Sequence, residues 1–116
     1  MVSYQWGIFW ANLFPTRGSE QSGTRPVLVI SSEEVNQALP IVTVISLTSI
    51  KPGRKVYPTE VFLRAKDTGL QKDSLAMVHQ IRAISKERII EKCGSIEGDE
   101  LKNAIRKATK IYLDIE

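Results

Sequence analysis

The sequence is short of the groups that most hydrolytic and metal chemistry uses. It has one cysteine, Cys93, and one histidine, His79. A lone cysteine excludes an internal disulfide and suits a reducing compartment, so a cytoplasmic location is expected. One Cys and one His, far apart in the chain, cannot close a tetrahedral zinc site alone, and no metal or other cofactor is expected. There is no G-x-x-x-x-G-K-[ST] phosphate loop and no G-x-G-x-x-G fingerprint. A serine nucleophile would need His79 as its base, and no G-x-S-x-G elbow is present. No apolar run is long enough to span a membrane. The first residues, "MVSYQWGIFWANL", lack the basic start and the small-residue cleavage site of a signal peptide. Neither sign of charge dominates: 16 Lys+Arg stand against 13 Asp+Glu, a net charge of +3. That permits an anionic partner without demanding one.

What is present describes one small domain over residues 1–116. Hydrophobic residues make up 42% of the chain, enough for a single core and too many for disorder. Residues 6–13 (WGIFWANL) and 26–31 (PVLVIS) read as strands around a glycine-bearing loop at 14–24. Pro26 is tolerated at a strand start, where a ladder donor can be spared. Serine and acids over 31–39 predict a short helical turn, stopped by Pro40. Strands follow at 41–49, 59–65 and 74–84, with a cationic Pro-Gly loop at 50–58 and a turn at 66–73. Residues 85–92 predict a short helix capped by Ser85, and 93–96 a few extended residues. From residue 99 onward Leu101, Ala104, Ile105, Ala108, Ile111, Tyr112 and Ile115 recur at helical spacing. The cations between them read as a solvated face. Several strands followed by an amphipathic C-terminal helix imply an α+β domain built on a small curled sheet or open barrel.

Some blocks of the sequence carry more than periodicity. "GSEQSGTRPVLVIS" (18–31) contains E-Q-x-G-x-R-P, and "VISLTS" (44–49) contains the Thr48-Ser49 pair. "LQKDSLAMVHQIRAISKERI" (70–89) and the terminal helix follow in order. These blocks resemble the MazF/PemK/Kid toxins of bacterial toxin–antitoxin pairs, from about Trp6 to Leu113. The resemblance implies an SH3-like small β-barrel with short helices, a homodimer, and metal-independent cleavage of single-stranded RNA at a short sequence. It also implies a partner, an acidic MazE-like antitoxin that blocks the groove.

The chemistry of the residues agrees with that implication. Metal-free RNA cleavage uses the ribose 2′-OH to attack the adjacent phosphate, leaving a 2′,3′-cyclic phosphate and a 5′-OH. It needs a cation on the phosphoryl oxygens and groups that move protons. Arg25 suits the first role, because its planar fork matches phosphate and stays charged. Its other reading is a surface arginine paired with Glu20. Thr48, at the exit of a strand, can donate to a phosphate oxygen, or is simply a β-branched strand residue. Ser49 is a supporting contact. Arginine does not titrate, so another group is sought for proton transfer. Where the family carries an acid in the fifth strand, this chain has His79, a good acid/base near neutral pH. The alternative is a histidine satisfied on a strand face with Met77 and Ile81.

Glu20 and Gln21 precede the second strand and could read base edges. Gln80 and Arg82 match the family's fifth strand but alternate from His79, so they serve RNA, the dimer or the other face of the sheet. Lys51, Arg54 and Lys55 form a basic loop that would attract RNA, or is merely solvated. Trp6, Phe9 and Trp10 read as core or dimer contacts rather than base-stacking groups. A second function remains open, because the fold also serves toxins that inhibit DNA gyrase by binding. A protein that binds RNA without turnover is a further alternative.

Overall fold

A computed structural model describes residues 2–20 and 23–116 of the chain. The strands are β1 (Gly7–Asn12), β2 (Thr24–Val29), β3 (Ile41–Ser49), β4 (Glu60–Leu63), β5 (Ser74–Ser85) and β6 (Ile89–Ser95). The helices are α1 (Glu33–Ala38), α2 (Ala65–Thr68) and α3 (Asp99–Leu113). The strands form one six-stranded sheet in the order β4-β5-β3-β2-β1-β6, antiparallel throughout. This is the small barrel-like α+β fold expected from the sequence.

Period-two alternation explains the core. In β1 and β2, Ile8 and Leu28 face one side and Phe9, Ala11, Val27 and Val29 the other. The first side packs Ile8, Leu28, Ile45, Leu47, Leu63, Ala76 and Val78 under Ile105 and Ala108 of α3. The second packs Phe9, Ala11, Leu13, Val27, Val29, Val42, Val44 and Ile84 against one another as the sheet curls. Trp6 anchors α3 from below. Its backbone is pinned by Trp6 N donating to Val29 O and Ile96 N donating to Trp6 O, both at 2.8 Å. Its ring lies under Lys102 and Arg106, at 5.7 and 5.2 Å. Trp6 and buried Phe9 are therefore structural, as the sequence suggested.

The stretch 85–92 departs from its helical reading. Ser85 does cap a turn, its Oγ accepting from Glu87 N at 3.3 Å, but the turn is a single 3-10 turn over Lys86–Arg88. From Ile89 the chain becomes β6 and pairs with β1, with register shifts at Ile8/Phe9 and Trp10/Ala11. The β-branched pair Ile89-Ile90 and an unfilled sheet edge outweigh the helix-forming charges around them. The turn expected at 66–73 contains the four-residue α2, closed by Gly69 at φ 83.

Candidate active site

The site originates in a divergence of strands. β2 pairs with β3 only from Val27 to Val29, opposite Ser46 to Val44. Beyond that point β3 continues to Ser49 on β5, while β2 runs back through Pro26, Arg25 and Thr24 on β1. Pro26, paired with Trp10, has no N–H to offer a further strand. The start of β2 and the end of β3 splay apart, and a groove of about 610 Å³ opens between them. Thr24, Arg25 and Pro26 line one bank and Leu47, Thr48 and Ser49 the other. Trp10, Gly69, Leu70, Gln71, Lys72, Ser74 and Cys93 contribute the rest of the wall. This explains why a permanent cation stands at the mouth of a buried strand: the apolar residues Val27–Val29 fix the backbone that carries it.

Arg25, Thr48 and Ser49, far apart in the chain, are thus brought together. Arg25 pairs with Ala11 and Thr48 with Leu75, which puts both side chains on the sheet face of Val27 and Val44. Both are partly buried, whereas Ser49 is exposed. His79 does not line the groove. Its Nδ1 lies 3.1 Å from Thr59 Oγ1, at the start of β4. Within one copy of the chain, the histidine is apart from the Arg25–Thr48 pair.

The other expected contacts divide in the same way. Glu20 is exposed, and its Oε1 accepts from Arg17 N at 2.6 Å. Gln21 lies outside the described residues. Gln80 Nε2 donates to Ser19 O at 3.0 Å, tying β5 to the β1–β2 loop. Arg82 is partly buried, and its Nη1 has no hydrogen-bond partner among the described residues. Lys51 and Lys55 are exposed on the β3–β4 loop. Arg54 on that loop is committed to structure: its Nη2 meets Glu60 Oε2 at 2.6 Å and its Nη1 donates to Glu60 Oε1 at 3.3 Å. The Glu60 side chain is fully buried, and its Oε1 also accepts from Tyr57 N at 3.0 Å. Cys93 is the one thiol in the groove wall. Burial, and then the charge of Glu91, push its pKa above the usual thiol value, so it stays protonated at neutral pH and is a poor nucleophile. Among the described residues no group of three or more His, Cys, Asp or Glu could hold a metal ion, and no helix is long and apolar enough to cross a membrane.

Trp10, Leu70, Gln71 and Lys72 are the groove residues that sequence reasoning missed. Trp10 sits in an apolar strand and looks like core, yet it is 37% exposed. The other three open the 70–89 block, where the sequence drew attention to the strand that follows and not to the turn itself.

Comparison with known proteins decides the family. The profile of the PemK-like, MazF-like toxins of type II toxin–antitoxin systems matches residues 4–112. The chain belongs to this family. It is 37% identical over 113 residues to endoribonuclease MazF9 of Mycobacterium tuberculosis, covering 93% of each chain. It is 35% identical over 113 residues to endoribonuclease EndoA of Bacillus subtilis, covering 97% of this chain and 96% of that one. Among solved structures it is similar to MazF of Deinococcus radiodurans, at 25% identity and a TM-score of 0.81 over 99% of both chains.

Proposed function

We propose that this protein is an endoribonuclease toxin that cuts single-stranded RNA in the groove between Arg25 and Thr48. The observation that carries the reading is the splay of β2 from β3, which sets both residues on one groove. Membership of the toxin family and the two endoribonuclease relatives support it. The reaction is attack of the ribose 2′-oxygen on the adjacent phosphorus with loss of the 5′-oxygen. It gives a 2′,3′-cyclic phosphate and a 5′-OH, and it uses no metal.

Arg25 holds the phosphoryl oxygens as negative charge builds on them. Thr48 donates its hydroxyl to the same group or fixes the attacking angle. Their backbones are held in the sheet before substrate arrives, which is the condition for electrostatic stabilisation of a transition state. Among the described residues no carboxylate or imidazole lines the groove. Charge stabilisation is then the main contribution, and the displaced protons pass through water. A proton-transfer role for His79 would need it to reach substrate from beyond the groove wall. The test is RNA cleavage by the wild-type chain and by Arg25→Ala, with a loss on the order of 10²–10³ in rate expected in the variant.

The partners follow from the same reading. An acidic antitoxin of the family's type complements the cations around the groove. A homodimer is the proposed assembly. The first-strand aromatics are taken up by core and groove, whereas β4 and α3 leave Phe62, Ile111, Tyr112 and Leu113 exposed at 42–50%. Of these, Phe62 and Ile111 line one shallow groove between β4 and α3, and exposed apolar groups side by side suit a symmetric contact.

A further inference from the structure

The groove is deeper and more apolar than a phosphate needs. Arg25 and Thr48 belong, by register, to the sheet face of Val27. Trp10 pairs with Pro26, and Leu47 with Ala76, so these side chains belong to the opposite face. The split between β2 and β3 therefore joins two compartments: a charged rim on one face and, on the other, a recess walled by Trp10, Pro26, Leu70, Gln71, Lys72 and Cys93. We propose that this recess takes the base of a nucleotide next to the scissile phosphate, stacked on the Trp10 ring and read at its edge by Gln71. The proposal rests on the reading above that RNA is the substrate. It adds a specificity pocket to the catalytic groove.

The recess is built rather than incidental. Its far wall is the α2 turn, which is pressed against β6 where Gly94 leaves room. A Cβ on Gly94 would lie 2.6 Å from Thr68 O and 3.4 Å from Leu70 Cδ2. Thr68 is buried, its Oγ1 donating to Arg64 O at 3.2 Å and accepting from Leu70 N at 3.2 Å. Asp73 closes the turn by accepting from Ala65 N at 2.8 Å. Gly69 at φ 83 makes the bend a side chain would oppose. These bonds fix Leu70, and the residues that follow it line the same recess as Trp10.

The chemistry of the wall suits a base. A nucleobase has an apolar π-face and a polar edge. Trp10, 37% exposed, offers a ring for the face. Gln71 is exposed and carries both an acceptor and two donors for the edge. Lys72 adds a cation for the neighbouring phosphate. The volume of about 610 Å³ shared by rim and recess is in the range of small-ligand sites. The phosphate-binding rim and the base-sized recess adjoin, as they do in one nucleotide.

The test begins with the cut sites of the wild-type protein, mapped on a long RNA. A short oligonucleotide carrying the mapped sequence, 2′-O-methylated so that it cannot be cleaved, is then titrated into wild type, Trp10→Leu and Gln71→Ala. Tryptophan emission reads the stacking directly, and Trp10→Leu reports the residual signal of Trp6. The proposal expects quenching in wild type, no quenching in Trp10→Leu, and binding weaker by about tenfold or more. Cut sites of Gln71→Ala should relax at one position beside the cleaved bond, and cleavage at the wild-type sites should lose its preference over sequences that differ at that position. Unchanged cut sites and affinity in both variants would overturn the pocket. So would emission that ignores the oligonucleotide but responds to an acidic antitoxin peptide, which would assign the recess to the protein partner. If wild type cuts no RNA, the function proposal fails instead, at the first step.

Discussion

Arg25 and Thr48 face one groove from two strands that diverge. Arg25 was recognisable because a permanent cation precedes an apolar run inside E-Q-x-G-x-R-P. Thr48 could be named but not placed, because only the divergence of β2 from β3 brings it to Arg25. Thr48→Ala is expected to cost roughly tenfold in rate, about 1.4 kcal/mol, as suits one neutral donor beside a charged one. His79 was named by its type and its position in a motif, neither of which fixes the direction of a side chain. Next to Thr59 it is outside the groove. The expected outcome for His79→Ala is a kcat within a few-fold of wild type and an unchanged pH–rate profile between pH 5 and 8. A limb in that range that disappears in the variant would return proton transfer to His79. Trp10 is the converse case. Its apolar neighbours hid it, and only its pairing with Pro26 at the splay exposes it.

At the scale of elements, periodicity located β1, β3, β5 and α3, because each has a face that must be buried. It misread 85–92, where the free edge of β1 supplied a long-range partner that local propensity does not contain. The sequence leaves the β3–β4 loop as either an RNA-attracting or a solvated basic loop, and in the structure its Arg54 is the lid on a buried carboxylate. Removing it leaves Glu60 desolvated and short of a partner. Arg54→Met should destabilise the fold by about 1–3 kcal/mol in urea titration, with little change in the salt dependence of RNA binding. α1 carries a second carboxylate acceptor, this one partly buried. Glu33 takes bonds from Tyr4 N at 3.0 Å, Gln5 N at 2.9 Å and Gln37 Nε2 at 2.8 Å. Its burial raises the pKa, but the bonds from Gln5, Gln37, Tyr4 and Asn36 outweigh that and hold it at about 2, against an ordinary value of 4.5. A folded pKa below the unfolded one means stability that is full above pH 4.5 and lost as pH falls toward 2. The Tm of wild type should exceed that of Glu33→Gln at pH 7, and the gap should close across that window.

For the whole molecule, the fold class was legible because strand count, spacing and one terminal helix leave few packings. Assembly was not, since an unpartnered face is a property of the surface in three dimensions. Phe62 on β4 and Ile111 on α3, which line one shallow groove between the two elements, form such a face. Sedimentation equilibrium at micromolar concentration is expected to give a dimer, and Phe62→Lys with Ile111→Lys to give a folded monomer. A wild-type monomer would contradict the symmetric assembly. The most direct test of the central claim is cleavage of a long RNA in the presence of EDTA, with Arg25→Ala alongside and the new ends mapped. The account predicts cuts at one recurring short sequence, bearing 5′-OH ends and absent from the Arg25→Ala reaction. Intact RNA from the folded wild-type protein would contradict it and favour a toxin that acts by binding.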